Sequence, residues 1–348
     1  MIRSALTLAV LAILSATPAL PCSFHGYVPQ ATFVERLLGS DHIVLARPTK
    51  QKPFSYAEIE VLEGDTEFVE IAQLVDSVTR RRLAANPEDH VLFARDGAYG
   101  PWQRVAYIDA DMGKVLNVVM DNLPVWEMGD EIERFSYFAT LLNHPNREVH
   151  ALALRELDIA DYDILRSLDL NVHPQRLMSR LNLRFEEDLK PIRVLLLGLS
   201  NEPVAQGFFE SGVQANANRS GGLLGAYATA MIEHGGPEAV ERLVDRHLKN
   251  RSLPAISREM LTEALAIHSS AGDAETRDAI RVAVGLAVSE DSELATMVAR
   301  HFGARYDWSQ EETISTLMRS GAVKSPIDML LLTQYVSLAR ENTVPVQN

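Results

Sequence analysis

With 348 residues and 47% apolar content, the chain has room for two domains of ordinary size, each with a real core. Its 47 carboxylates outweigh 33 Lys and Arg, and the net charge of −14 argues against nucleic acid as the main partner. Nineteen glycines and 16 prolines exclude a collagen-like or low-complexity chain, and a single cysteine, Cys22, excludes an intrachain disulfide.

The first element is a candidate export signal. Arg3 supplies a positive start, Ala5 to Leu14 is an apolar run, and Thr17-Pro18-Ala19 offers small residues for cleavage. A signal peptide over 1–19 is therefore expected, with an exported, periplasmic or extracellular mature protein. The run is too short to cross a bilayer, and no later stretch reaches the roughly 20 apolar residues a transmembrane helix needs. Ala19-Leu20-Pro21 is a poor lipoprotein signal, so a lipid anchor on Cys22 is not expected.

Cys22-Ser-Phe-His25 opens the expected mature chain. Thiolate and imidazole three residues apart are candidate ligands for copper or another soft metal, and an unpaired exported cysteine is also a candidate reactive thiol. A small buried cysteine beside a turn histidine is the competing reading. No second cluster completes a metal site.

Residues 32–38 predict a short helix or turn. Asp41–Arg47, Tyr56–Leu62, Glu67–Ala72, His90–Ala94 and Gln103–Ile108 then read as strands, with turns at Glu63-Gly64-Asp65 and Asp96-Gly97. Arg80-Arg81-Arg82 lies in a polar helix or loop between them, where a solvated face is a simpler reading than an anion grip. Asp109-Ala-Asp111-Met-Gly113 echoes a calcium loop, but its twelfth position is Met120 rather than a bidentate Glu, so a hairpin turn is expected. Together these elements predict a small antiparallel β barrel or sandwich over 22–126.

The strands Asp41-His-Ile-Val-Leu-Ala-Arg47, Glu60-Val-Leu-Glu-Gly64 and His90-Val-Leu-Phe-Ala94 resemble those of netrin-like domains. These are OB-type barrels shared with the tissue inhibitors of metalloproteinases. The resemblance covers 22 to about 110 and implies an N-terminal cysteine, for which Cys22 is the match. The chain departs from that family in having no disulfide partner, and in keeping Leu20 and Pro21 ahead of the cysteine if cleavage follows Ala19.

From Gly129 the period changes to helical. Glu131–Leu142 carries Phe135, Phe138, Leu141 and Leu142 on one side, and Asn143-His-Pro-Asn146 turns the chain into a second helix with Asn146 as N-cap. In that helix Val149, Leu152, Ala153 and Leu157 form the apolar stripe, while Arg147, Glu148, Arg155 and Glu156 are assigned to the polar side. Asn146-x-x-Val149-His150-x-x-Ala153-x-x-x-Leu157 resembles the second-helix signature of HEAT repeats, with His150 where that family prefers Arg. Ile256-Ser-Arg258-x-x-Leu261 and Asp291-x-x-Leu294-Ala repeat the theme, with Ile256 and Leu294 lying 38 residues apart. Gly222–His234, Pro237–Lys249 and Ala274–Ser289 supply further helices, and 130–340 accommodates about five units. A last helix from Pro326 to Leu338 is expected to be packed on most sides, with a tail over 341–348. A β domain followed by such repeats resembles a group of exported bacterial proteins.

Other chemistry is limited to near misses. There is no His-Glu-x-x-His, and Gly198-Leu-Ser200-Asn-Glu202 lacks the closing glycine of a nucleophile elbow. Arg219-Ser-Gly-Gly-Leu-Leu-Gly225 has no phosphate-loop lysine, so a helix cap is the simpler role. Glu186-Glu187-Asp188 and Asp158/Asp161/Asp163 read as solvated carboxylate turns.

The expectation is thus an α+β multidomain chain, with a small antiparallel β barrel or sandwich followed by an α-solenoid of HEAT-like helical hairpins. Its expected role is non-enzymatic binding of another protein through the repeat surface. A copper or thiol site at Cys22 and His25 is the rival.

Overall fold

The computed structural model describes residues 31–343 except 65–69, 98, 201–202, 206 and 220. The expected signal segment, Cys22, His25 and residues 344–348 lie outside the described residues. The fold is mostly helical, with one small antiparallel sheet near the N-terminal end of the described chain.

Helix α1 (Phe33–Leu38) starts at a capping box. The Thr32 hydroxyl accepts from Glu35 N–H at 3.2 Å, and the Glu35 carboxylate accepts from Thr32 N–H at 2.8 Å. Strands β1 (His42–Pro48), β2 (Tyr56–Glu63), β3 (His90–Arg95) and β4 (Gln103–Ile108) follow, with α2 (Ser77–Ala85) between β2 and β3. The sheet order is β2-β1-β3-β4, antiparallel throughout.

β1 and β3 read as unbroken apolar runs because both faces of the sheet are covered. Ile43, Leu45, Leu92 and Ala94 face one helical layer, while Val44, Ala46, Val91 and Phe93 pack with Ile71, Val75 and Leu83 on the other side.

The expected barrel or sandwich is therefore corrected to an open four-stranded sheet between helical layers. Two local causes account for this. Residues 70–72, the described part of the expected Glu67–Ala72 strand, are irregular, and Leu74 forms only an isolated bridge to Ser55. At the far edge, Asp109 caps a helix instead of turning a hairpin. Its carboxylate accepts from Asp111 N–H at 3.1 Å and Met112 N–H at 2.9 Å, starting α3 (Ala110–Glu127). Met112, Val115, Leu116, Val119, Leu123 and Trp126 then bury one stripe of α3. Gly129, at φ +97°, turns the chain into α4.

The rest is helical: α4 (Glu131–Thr140), α5 (Arg147–Asp158), α6 (Tyr162–Ser167), α7 (Pro174–Arg180), α8 (Lys190–Gly198), α9 (Phe208–Asn216), α10 (Leu223–Leu243), α11 (Ala255–Ala271), α12 (Ala274–Glu290), α13 (Glu293–Gly303), α14 (Glu311–Arg319) and α15 (Pro326–Thr343). Asn146 caps α5 by accepting from Glu148 N–H at 2.9 Å. α10 breaks at Gly236 (φ +53°, ψ −142°) just before Pro237, which separates the two helices that the sequence predicts there. A π-turn, Val244–Leu248, closes its second half.

Helices α5, α8, α10, α11, α13 and α15 each pack on the next in that order, and α10, α12 and α14 do the same in a second row. The α8–α10 crossing is tight: a Cβ on Gly198 would lie 2.7 Å from Ala230. One core runs without interruption from Phe33 to Val336. The terminal helix departs from expectation. Leu332, Tyr335, Val336 and Ala339 are buried, but Ile327 and Leu330 are 80% and 72% exposed.

Candidate functional site

The helical rows are tied internally by charged groups that the amphipathic pattern assigns to solvent. Glu156 is fully buried, contrary to its expected polar-side position. It accepts from Arg134 at 2.5 Å and from Val34 N–H at 2.9 Å, joining α5 to α4 and to the first turn of α1. Burial pushes its carboxyl upward, opposed by Arg134. Glu186 is also buried rather than a solvated turn residue. It binds Arg193 and Arg147, and those cations outweigh burial to hold its carboxyl below the usual range.

His150 of α5 and Arg258 of α11 do equivalent work. His150 Nδ1 bonds Leu142 O at 2.7 Å, and Arg258 Nε donates to Leu248 O at 3.1 Å. Each side chain satisfies a carbonyl at the end of the preceding helix. Arg258 then reaches Asp291 of the following unit.

α6 lies across the middle of this assembly. Tyr162 donates to Glu233 at 3.1 Å, Arg166 donates to Glu233 at 3.0 Å and to Ala271 O at 2.7 Å, and the Tyr162 ring meets His268 edge-on. Around it, Ile192–Gly198 of α8 and Arg258, Leu261 and Leu265 of α11 are buried.

An open cleft of about 1060 Å³ instead lies where the sheet meets the helices. β4 forms one wall through Val105, Ala106 and Tyr107, and α5 forms the opposite wall through Ala151, Leu152 and Ile159. Thr32, Phe33 and Arg36 of α1, with Met112 and Leu189, complete the interior. Glu148, Arg155, Asp158, Glu187 and Asp188 stand around the rim.

The rim charges are positioned by neighbours. Arg82 pairs with Glu148 at 2.9 Å while its guanidinium lies 3.7 Å from the Tyr107 ring centre, and Arg155 pairs with Asp188 at 2.7 Å. Burial and the 2.7 Å bond to Asp89 push Tyr107 up to about 12, so its hydroxyl is a neutral donor at pH 7. The cleft thus combines an apolar interior with fixed polar edges, a combination suited to binding.

The other sequence candidates take structural places. Of the arginine triplet, Arg82 serves the cleft rim, Arg80 stacks on Phe54, and Arg81 bonds the backbone of Ser77. Asp109 and Asp111 both accept from Asn146. Gly198 and Ser200 lie at the end of α8, and the Arg219–Gly225 stretch leads into α10 with no side-chain cap bond. Among the described residues, no group of three or more His, Cys, Asp or Glu is placed to hold a metal, and no helix is long and apolar enough to cross a membrane.

The site residues that sequence reading missed are Val105–Tyr107 as a cleft wall and Arg134–Glu156 as the tie behind it. Leu152 in the α5 stripe was the available signal, since it alone of that stripe lines the cleft. No protein-family model, no curated protein and no solved structure matches the chain.

Proposed function

We propose that this chain is a non-enzymatic, exported protein-binding scaffold built as a HEAT-like α-solenoid. The solenoid reading rests on helix pairs α4/α5, α7/α8, α9/α10, the second half of α10/α11, α12/α13 and α14/α15. Their second members stack in chain order. The matched roles of His150 and Arg258 support it, because each ties a second helix to the end of its own first helix.

The observation that carries the binding reading is the seam cleft. It is open to solvent and apolar inside, and its charges are already braced by the protein's own ion pairs. The seam is walled on one side by repeat helix α5, so the scaffold itself contributes to it. Rigid apolar clefts with a polar rim are where interface energy concentrates.

The test is capture from the native exported fraction with the full chain and with Leu152→Arg. A partner retained by the former and lost by the latter supports the reading. Equal retention by both, or turnover of a small substrate that persists in Leu152→Arg, contradicts it.

A further inference from the structure

We infer that the seam cleft takes an extended, cationic peptide segment of a partner protein by adding it as a fifth strand on the free edge of β4; this rests on the protein-binding reading above. Successive residues of a strand point to opposite faces of a sheet. Val105, Ala106 and Tyr107 are consecutive, yet all three line one cleft. The cleft therefore runs along the strand's edge, not over one face. Among the described residues β4 pairs with β3 alone, so that edge has backbone groups available for a ladder.

The two edges of the sheet differ. β2 carries Glu58, Glu60 and Glu63 and is bulged twice against β1, the ordinary means of discouraging strand addition. β4 has one irregularity, between Leu92 and Phe93 of its partner, and presents Val-Ala-Tyr inside a recess.

The charge of the occupant follows from the chain as a whole, with exposed carboxylates at the rim to receive it. Four lining carboxylates, Glu148, Asp158, Glu187 and Asp188, stand against two lining guanidiniums, Arg36 and Arg155. Arg82 and Lys190 brace Glu148 and Glu187 from outside the lining, and those carboxylates stay 49% and 67% exposed. With those braces the rim itself is balanced, four carboxylates against Arg36, Arg155, Arg82 and Lys190, so it is the long-range field of a chain charge of −14 that favours a cationic segment. Apolar side chains of alternate residues would enter the Phe33, Leu152 and Ile159 interior, and Lys or Arg between them would meet the rim.

The probe is a nine-residue peptide of alternating Val and Lys, titrated into the full chain by fluorescence anisotropy. Alongside it run a Val/Glu peptide and a Val/Lys peptide N-methylated at alternate residues, in both registers. The expected result is saturable binding of the first peptide. The Val/Glu peptide and at least one N-methylated register should bind at least about tenfold more weakly, and Leu152→Arg should give a loss of similar size.

Benzoylphenylalanine in place of Ala151 adds a second readout, with photo-crosslinks mapped by mass spectrometry; these are expected on the peptide. No binding of the Val/Lys peptide overturns the inference, as does binding indifferent to N-methylation or to charge sign. Crosslinks from position 151 to the chain's own residues 1–30 that persist with peptide present also overturn it, since the cleft is then self-occupied. If these arms fail while Leu152→Arg still abolishes capture of a native partner, strand addition falls and the scaffold reading stands.

Discussion

Glu156 gives the sharpest energetic test of how the sheet is joined to the helices. Its side chain is 0% exposed and its main partner Arg134 is 8% exposed. One carboxylate oxygen holds the Val34 amide, a first-turn N–H that the helix itself cannot satisfy, and the other holds Arg134, which also donates to Thr32 at 3.1 Å. Glu156→Ala strips both contacts at once. An uncompensated buried guanidinium costs about 3–5 kcal/mol, and the orphaned amide adds about 1–2 kcal/mol, so about 4–7 kcal/mol is expected overall. Against a total stability of about 5–15 kcal/mol, that loss lowers the urea midpoint by roughly 1 M or more. Replacing both partners, Arg134→Met with Glu156→Leu, removes the stranded charge and should leave only about 1–2 kcal/mol for the Val34 amide. Urea unfolding followed by far-UV circular dichroism on the wild type, both single variants and the pair gives the complete cycle. A loss under about 1 kcal/mol for Glu156→Ala, or a double variant as damaged as the single, would refute the buried tie.

Three further outcomes are expected. His150 and His268 are buried and held down to about 4, His268 by burial against the pull of Glu233, and His150 by burial and the nearby Arg176, Arg180 and Arg193. Since the unfolded rings titrate near 6.5, stability is fully present above that pH and falls toward pH 4. At about 1.4 kcal/mol per pH unit the drop is roughly 3 kcal/mol for each ring. His268→Asn should flatten the thermal midpoint over that window, and an unchanged slope would count against the assignment. Gly198→Ala should cost about 1–3 kcal/mol by wedging α8 away from Ala230, read as a lower urea midpoint; a neutral result would mean the crossing is looser than described. Copper titration of the mature protein against Cys22→Ser should show equal stoichiometry if the chain is a binding scaffold, and loss of one equivalent in the variant would favour the N-terminal metal reading.

What the sequence made legible was local. The alternation in β2, Asn146 before Val149, and Pro237 at a helix start each act within a few residues, so β2, the α5 cap and the α10 break could be placed in advance. The missed features depend on distant partners. Glu156 looks like a solvent-side residue by its helical phase, and only Val34, 122 positions away, and Arg134 place it inside. Glu186 was assigned to a carboxylate turn for the same reason, since the arginines around it are brought together by packing. α3 was obscured by a turn-like Asp-x-Asp-x-Gly start and by Pro124 near its end, although its Met112–Trp126 stripe carries helical spacing. Of the cleft's α5 wall, only Leu152 belonged to the predicted stripe; Ala151 and Ile159 lie off it, and the rest of the stripe is core. The β4 wall was not legible, because an unpaired edge is a property of the sheet order and not of the strand's own residues.

The central claim is that a protein partner docks at the seam between sheet and helical rows. Hydrogen–deuterium exchange of the full chain, with and without its captured partner, tests it most directly. Slowed exchange concentrated at Val105–Tyr107 and at Ala151–Ile159, with α12 and α14 unchanged, is the predicted pattern. Protection confined to α12, α14 or the exposed side of α15, with the seam unaltered, would contradict the account.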